Sequence, residues 1–439
     1  MERNFDSPPD SPSLTRRRFL TRSAMLAGVV LGAGPLLEAC GAGTGSQAPV
    51  TLNFYHWIGT DAGPVVAEIN RRFHAENPNI TIKFSSIATD QYETVLKARL
   101  AGGDAPDVFG VYPGAKFYPY AKANYLADLS NEPWVANILA GAKRVVTYTD
   151  GKVYTLPMDE NAIGVTYNKQ IFSQHGLSVP TNWTDFLAVC ETLKSAGVTP
   201  LALGIKDQWV DQLIPYAMAP SAIYRDDINF DKEMLSGAKT FSQSAWTQMM
   251  KDYLDLNARG YFNLGPLGTT YVDSTQLIAS GKAAMVVNGN WILAPIKALN
   301  PNLDLGMFPL PYVQAGQPIW VSSAVGTTTA ISSTTKHPSE ARKYIQFWAR
   351  PDIMGLYLKE KVAYSSFTNI TNPALDPAAQ EMVSPLKVGS YNFLDQNWPV
   401  GVQNVMLQDI QGVFAGSTSI PKMLQDMDTS FQQNKGQLG

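Results

Sequence analysis

Cysteine is nearly absent from this chain: Cys40 and Cys190 are the only two among 439 residues. Two thiols cannot staple a disulfide framework or complete a cysteine-based zinc site. Histidine is almost as scarce. His56, His74, His175 and His337 stand apart, and no His-Glu-x-x-His or Asp-x-Asp-x-Asp-Gly run occurs. Neither a metal nor any other cofactor is therefore expected. There is no Gly-x-Ser-x-Gly elbow and no Walker loop, the local marks of a serine hydrolase or a nucleoside triphosphatase. Charge is low as well: 16% of residues are charged and the net charge is -3, which offers no field to a nucleic acid. What the chain has is apolar and aromatic mass, 45% hydrophobic and 10% aromatic residues. That is enough for large cores, and it excludes a disordered or fibrous protein.

The first forty residues read as an address. Thr15-Arg-Arg-Arg-Phe-Leu20 precedes an apolar run from Ala24 to Leu37, broken by Gly28, Gly32, Gly34 and Pro35. A basic head and a short apolar middle make a secretory signal, too short for a spanning helix. The arginine pair resembles a twin-arginine export signal. Leu37-Glu-Ala-Cys40 resembles a bacterial lipoprotein box, with Glu38 where a small or apolar residue is usual. Residues 1–39 are thus assigned as signal peptide and Cys40 as the lipidated residue. The Gly/Ala/Thr/Ser stretch to residue 49 is a flexible tether. Gly41-Ala-Gly-Thr-Gly45 lies in that tether with no strand before it, so it is no dinucleotide loop. The protein is expected outside the cell, held by its lipid at the outer face of the cytoplasmic membrane.

From Val50 onward strands and helices alternate. Val50–Tyr55, Ile80–Phe84 and Pro106–Phe109 read as strands. Val65, Val66, Ile69 and Phe73, then Tyr92, Val95, Leu96 and Leu100, recur at helical spacing between them. This β-α-β-α-β order predicts a mostly parallel sheet with ligands beyond the carboxyl ends of its strands. A second block follows, with strands over 153–156, 163–167 and 200–203. A helix capped by Thr184 carries Cys190 on its apolar face. Residues 283–287 and 305–308 read as strands returning to the first sheet, and Ala341, Tyr344, Ile345 and Trp348 share a helical face.

Two sets of residues could carry function. The carboxylates Asp159, Glu160, Asp207, Asp211, Asp273 and Asp395 are available for acid and base work. Asp159 and Glu160, though, are adjacent on an extended chain and point to opposite faces, so they make a poor catalytic pair. The second set is aromatic. Trp57, Tyr112, Trp209, Trp291, Trp320 and Trp398 fall beside turns or strand exits, whereas Trp246 and Trp348 sit at core spacing. Sugar rings lie with their C–H faces on aromatic planes and give their hydroxyls to carboxylates and amides. These plates with Asp159, Glu160, Asp207 and Asn290 suit a neutral carbohydrate. On residues alone two alternatives stay open, an exported glycosidase using two carboxylates and an adhesion or scaffold protein whose aromatics form an interface.

A run of segments then resembles the extracellular solute-binding proteins of bacterial ABC importers, in the group that takes up sugars. They are Ala105-Pro-Asp-Val-Phe109, Asp150-Gly-Lys-Val-Tyr-Thr-Leu-Pro157, Tyr167-Asn-Lys-Gln-Ile-Phe172 and His175-Gly-Leu-Ser-Val-Pro180. Asn182-Trp-Thr-Asp-Phe186, Leu193-Lys-Ser-Ala-Gly197, Gly281-Lys-Ala-Ala-Met285, Gly289-Asn-Trp291 and His337-Pro-Ser-Glu-Ala341 continue it. The resemblance implies an α/β, two-lobed periplasmic-binding-protein fold, each lobe a mostly parallel sheet flanked by helices. It implies crossings near Asp159–Asn161, just before Ala283 and near Gly326. Lobe 1 would then hold 50–158 and 283–326, and lobe 2 would hold 159–282 and 327–439. It further implies no catalysis, a carbohydrate ligand, permease subunits as partners, a monomer, and no nucleic acid. The matching ligand positions are His56, Trp57, Tyr112, Asp159, Glu160, Asp207, Trp209, Asn290 and Trp291, with Trp320 and Trp398 in loops of variable length.

Overall fold

The computed structural model describes residues 48–372 and 374–438. The signal of residues 1–39, Cys40 and the tether as far as residue 47 lie outside these residues. No helix among the described residues is long and apolar enough to cross a membrane.

Two sheets organise the chain. The first carries β1 (Val50–His56), β2 (Ile80–Ser86), β3 (Val108–Val111), β4 (Thr155–Pro157) and a late strand. In spatial order the sheet runs β2, β1, β3, the late strand and β4. β1 runs parallel to both β2 and β3, as the β-α-β-α-β reading requires. The helices between them, Gly59–Glu76 and Thr89–Ala101, bury the spaced residues: Val66, Ile69, Phe73, Tyr92, Leu96 and Leu100 are all at most 5% exposed.

The second sheet carries β5 (Asn161–Asn168), β6 (Thr199–Ala202), β7 (Ala283–Gly289), β8 (Leu305–Phe308), β9 (Val321–Ala324) and β11 (Ser390–Tyr391), and the late strand of the first is β10 (Thr328–Ile331). This sheet is mixed. β5 enters from the first lobe and runs antiparallel to β7, β8 and β9, while β6 and β7 pair in parallel. Gly164 permits the β5–β8 approach, since a Cβ there would lie 2.8 Å from the Phe308 carbonyl oxygen.

This pairing corrects the lobe boundaries. Residues 283–326 build the second sheet, not the first, so no crossing lies before Ala283. Conversely β10 pairs with β3 and β4, and helices Pro338–Trp348 and Pro351–Lys361 pack into the first lobe's core. Buried strands are apolar along their whole length, so a run such as Ala283–Val287 does not announce which sheet it joins. Lobe 1 is therefore 50–158 with 327–370, and lobe 2 is 159–326 with 371–438. The chain passes between the two sheets at 158–160 and 325–327, and a third passage follows Ile370, the last first-lobe core residue, before Ala378 joins the second core.

The 183–195 helix is capped by Asn182, not Thr184: the Asn182 side chain accepts the Asp185 N–H at 3.0 Å. Cys190 is fully buried on its inner face, and burial pushes its thiol up, which makes it inert.

Candidate functional site

The crossings leave a cleft between the lobes that holds about 1320 Å³ of empty space, its open mouth included. Trp57 and Tyr112, just past β1 and β3, form the first-lobe wall. Their rings stack at 4.3 Å with an interplanar angle of 21°. Trp209 and Trp291 stand on the second-lobe wall, with Gln208, Gln212 and Tyr216. All four of these predicted aromatics are half-buried, each with part of its surface open.

The first wall rests on satisfied groups. Tyr92 is fully buried beneath Trp57, their rings 5.0 Å apart edge to face, and its hydroxyl reaches the carbonyls of Tyr55 (3.0 Å) and Gly110 (2.9 Å). His56 lies in the same layer. Its Nδ1 accepts the Ile58 N–H at 3.4 Å, so Nε2 carries the proton and points it at the Thr328 carbonyl, 3.3 Å away. Burial depresses its pKa to about 3, so the ring is neutral. Gly110 makes the layer possible, because a Cβ there would lie 2.6 Å from both His56 and Trp57. His56 is thus a brace for Trp57 and does not face the cleft.

The floor is formed where the strands cross. Asp159 lies at that floor but is fully buried. One carboxylate oxygen accepts the Thr327 N–H (2.8 Å), the Gly326 N–H (3.2 Å) and Asn161 Nδ2 (2.9 Å); the other accepts the Tyr357 hydroxyl (3.1 Å). Burial raises its pKa, opposed by the charge of Lys361 and by these bonds. Asn290 is equally buried: it accepts the Ala162 N–H at 2.7 Å and donates to Asn161 Oδ1 (2.9 Å) and the Val362 carbonyl (2.8 Å). Both residues pin the crossings; Asp159 also lines the cleft, whereas Asn290 lies behind it. Val362 itself holds a left-handed φ of 53°, a strained conformation for a β-branched residue.

The remaining predicted positions lie elsewhere. Glu160 is not among the residues that line the cleft; its backbone pairs with Tyr364, and burial, followed by the charge of Asp159, raises its pKa. Asp207 accepts the Tyr271 N–H at 2.7 Å and so ties the loop that carries Trp209 to helix Tyr271–Ala279. Trp320 lies off the cleft; its backbone N–H donates to Ser221 Oγ at 2.9 Å, and its ring covers Gly389. Trp398 is 1% exposed and packs on Trp246 and Phe241 in the second-lobe core. Sequence reasoning missed other cleft residues: Asn161, Lys361, Phe393, Gln396, Gln403 and Asn404. Gln403 and Asn404 open helix Val402–Phe414, which also carries Gln408, Asp409 and Gln411, so nothing local sets them apart.

Electrostatically the cleft is guarded. Asp90, Glu93, Asp159 and Asp395 line it, against two cations, Lys116 and Lys361. Lys116 Nζ lies 3.4 Å from Asp395, and Lys361 acts on Asp159. Among the described residues no arginine lines the cleft and no cluster of side chains could hold a metal ion.

Two α/β lobes joined by three crossings around an aromatic cleft define a solute receptor. The comparisons agree with that class. The family model described as bacterial extracellular solute-binding protein matches residues 59–355, and the chain belongs to that family. It is similar to the multiple sugar-binding protein of Streptococcus mutans, 28% identical over 85% of this chain and 89% of that protein. It is also similar to the melibiose/raffinose/stachyose-binding protein MelE of Bacillus subtilis, 24% identical over 81% of this chain and 84% of that one. A solved sugar transporter structure from Bacillus licheniformis, in complex with stachyose, shares the fold with a TM-score of 0.76, covering 87% of this chain and 99% of that one at 22% identity. The chain is accordingly an exported solute receptor of ABC import, a binding protein and not an enzyme. The glycosidase reading has no support from these relatives.

Proposed function

We propose that this receptor captures a neutral carbohydrate, a short oligosaccharide, in the interlobe cleft and hands it to the membrane subunits of its importer. The observation that carries the reading is the set of half-buried rings, Trp57, Tyr112, Trp209 and Trp291, facing one cleft from both lobes. Amide side chains, Gln208, Gln212, Gln396 and Gln403, stand between them for hydroxyl groups. The excess of carboxylates over cations in the cleft disfavours uronates and sugar phosphates. The names of the relatives support a sugar of two to four rings. In this reading residues 1–39 direct export through a twin-arginine signal, Cys40 carries the lipid, and the body works as a monomer on its tether.

The test is a thermal-shift screen of residues 41–439 against melibiose, raffinose, stachyose, malto-, xylo- and chito-oligosaccharides and a uronate series, with product analysis. A sugar at about a hundred times its dissociation constant should add about 2.7 kcal/mol of stability and be recovered intact. A protein that no neutral sugar stabilises would overturn the reading, as would one stabilised by uronates alone.

A further inference from the structure

At one end of the cleft the two lobes touch. The turn Gly114–Phe117 of lobe 1 meets Leu394–Gln396 of lobe 2. Gly114 has φ +71°, and a Cβ there would lie 2.5 Å from the Gln396 carbonyl oxygen, so the backbones abut with no space between. Beside this seam Lys116 Nζ stands 3.4 Å from Asp395 Oδ2, with side chains only 14% and 13% exposed. The same ammonium lies 4.6 Å from the centroid of Tyr112, the ring on which Trp57 stacks. The pair thus stands at the end of the aromatic wall and bridges both lobes.

Each partner is held from behind. The Asp395 N–H donates to the Tyr216 hydroxyl at 3.2 Å, and the neighbouring Gln396 side chain donates to the Val325 carbonyl at 2.7 Å, in the crossing itself. Beyond the pair lies a narrow recess, lined by Trp398, Pro399, Val400 and Gly401, which shares Lys116, Asp395, Glu93, Gln403 and Asn404 with the cleft. A sugar chain growing along the wall would meet two opposed charges. Entering the recess means separating them where water is largely excluded, and that leaves each without its partner. Neutral hydroxyls repay such a loss poorly.

From this arrangement the geometry points to Lys116 and Asp395 as an end stop: the pair sets how many sugar rings the closed receptor accepts. The inference rests on the carbohydrate reading above and goes beyond it, because it assigns ligand length to two named residues.

The experiment measures calorimetric affinities for malto-, xylo- and raffinose-type series of two to five rings. It compares the wild type with Lys116→Ser/Asp395→Ser and with the isosteric Asp395→Asn, each checked for an unchanged melting profile without sugar. The wild type should lose at least tenfold in affinity between the longest accepted glycan and the next. In the double variant that drop should move one ring further, and Asp395→Asn should soften it. A folded variant with the wild-type length limit, or one weakened equally at every length, would overturn the end stop and leave the carbohydrate reading standing. A wild type with no length limit would overturn it too. Failure of every saccharide with both proteins would overturn the carbohydrate reading, and the end stop with it.

Discussion

The two walls of the cleft present similar rings on opposite foundations. Beneath Trp57 the first lobe places Tyr92 and a neutral His56, every polar atom of which has a partner. The turn Gln208–Gln212, which carries Trp209 on the second lobe, also carries Asp211, fully buried and with no hydrogen-bond partner for either oxygen among the described residues. The Tyr253 hydroxyl, which feels Asp211's charge, is unpartnered as well. A buried polar group without a partner is costly, and an ionised one more so. The first wall leaves only neutral hydroxyls such as that of Tyr55, stacked on Tyr92, without a partner among the described residues, whereas the second carries a destabilisation that depends on protonation.

That contrast predicts opposite responses to pH. Burial pushes Asp211 up to about 9, from 3.8. Between those values the unfolded chain has lost this proton and the folded one keeps it, so this group's contribution to stability falls as pH rises, by about 1.4 kcal/mol per pH unit. Asp211→Asn should therefore melt above the wild type by a margin that widens from pH 5 to pH 8, the largest effect expected here. A margin constant with pH would show Asp211 to be ionised in the fold. His56 has the reverse sign. Its pKa falls from 6.5 to about 3, so its contribution is complete above pH 6.5 and declines as the pH drops toward 3. Calorimetric melts of His56→Gln should lose that part of the acid sensitivity, again about 1.4 kcal/mol per unit over the window the variant survives.

Smaller effects sharpen the comparison on the ligand side. Trp57→Ala removes a plate fixed by stacking and should cost roughly thirtyfold in sugar affinity, about 2 kcal/mol. Trp209→Ala, on the less firmly supported wall, should cost about fivefold. Equal losses would remove the distinction between the walls. Asp207→Ala should lower stability by about 1 kcal/mol, through the lost tie to Tyr271, with little change in affinity for a sugar.

The same contrast explains what was legible in the sequence. The first wall grows from a local β-α-β-α-β run, so the strand exits at Trp57 and Tyr112 could be read from periodicity. Alternation could also have separated His56 from Trp57, since neighbours on a strand face opposite ways. The second wall is assembled from segments around 208–216, 290, 393–396 and 403–407, and their meeting depends on strand pairings between distant residues. No local pattern carries that information, so the sheet that residues 283–326 join is not legible from them alone. Polar residues beside aromatics suggest ligand contacts, but Asp159, Asp207 and Asn290 hold backbone groups, and Asp159 and Asn290 also bond the Asn161 side chain. A crossing strand leaves N–H and C=O groups that a sheet would have paired, and buried side chains must satisfy them.

The central claim is that rings from both lobes close on one sugar. Its most direct test is a tryptophan-fluorescence titration with raffinose and stachyose, or the best sugar of the screen, on the wild type and on Trp57→Ala/Trp291→Ala. The account predicts a saturable change in the wild type and its loss in a double variant that melts as the wild type does. Saturable binding of the same affinity in both proteins would contradict it.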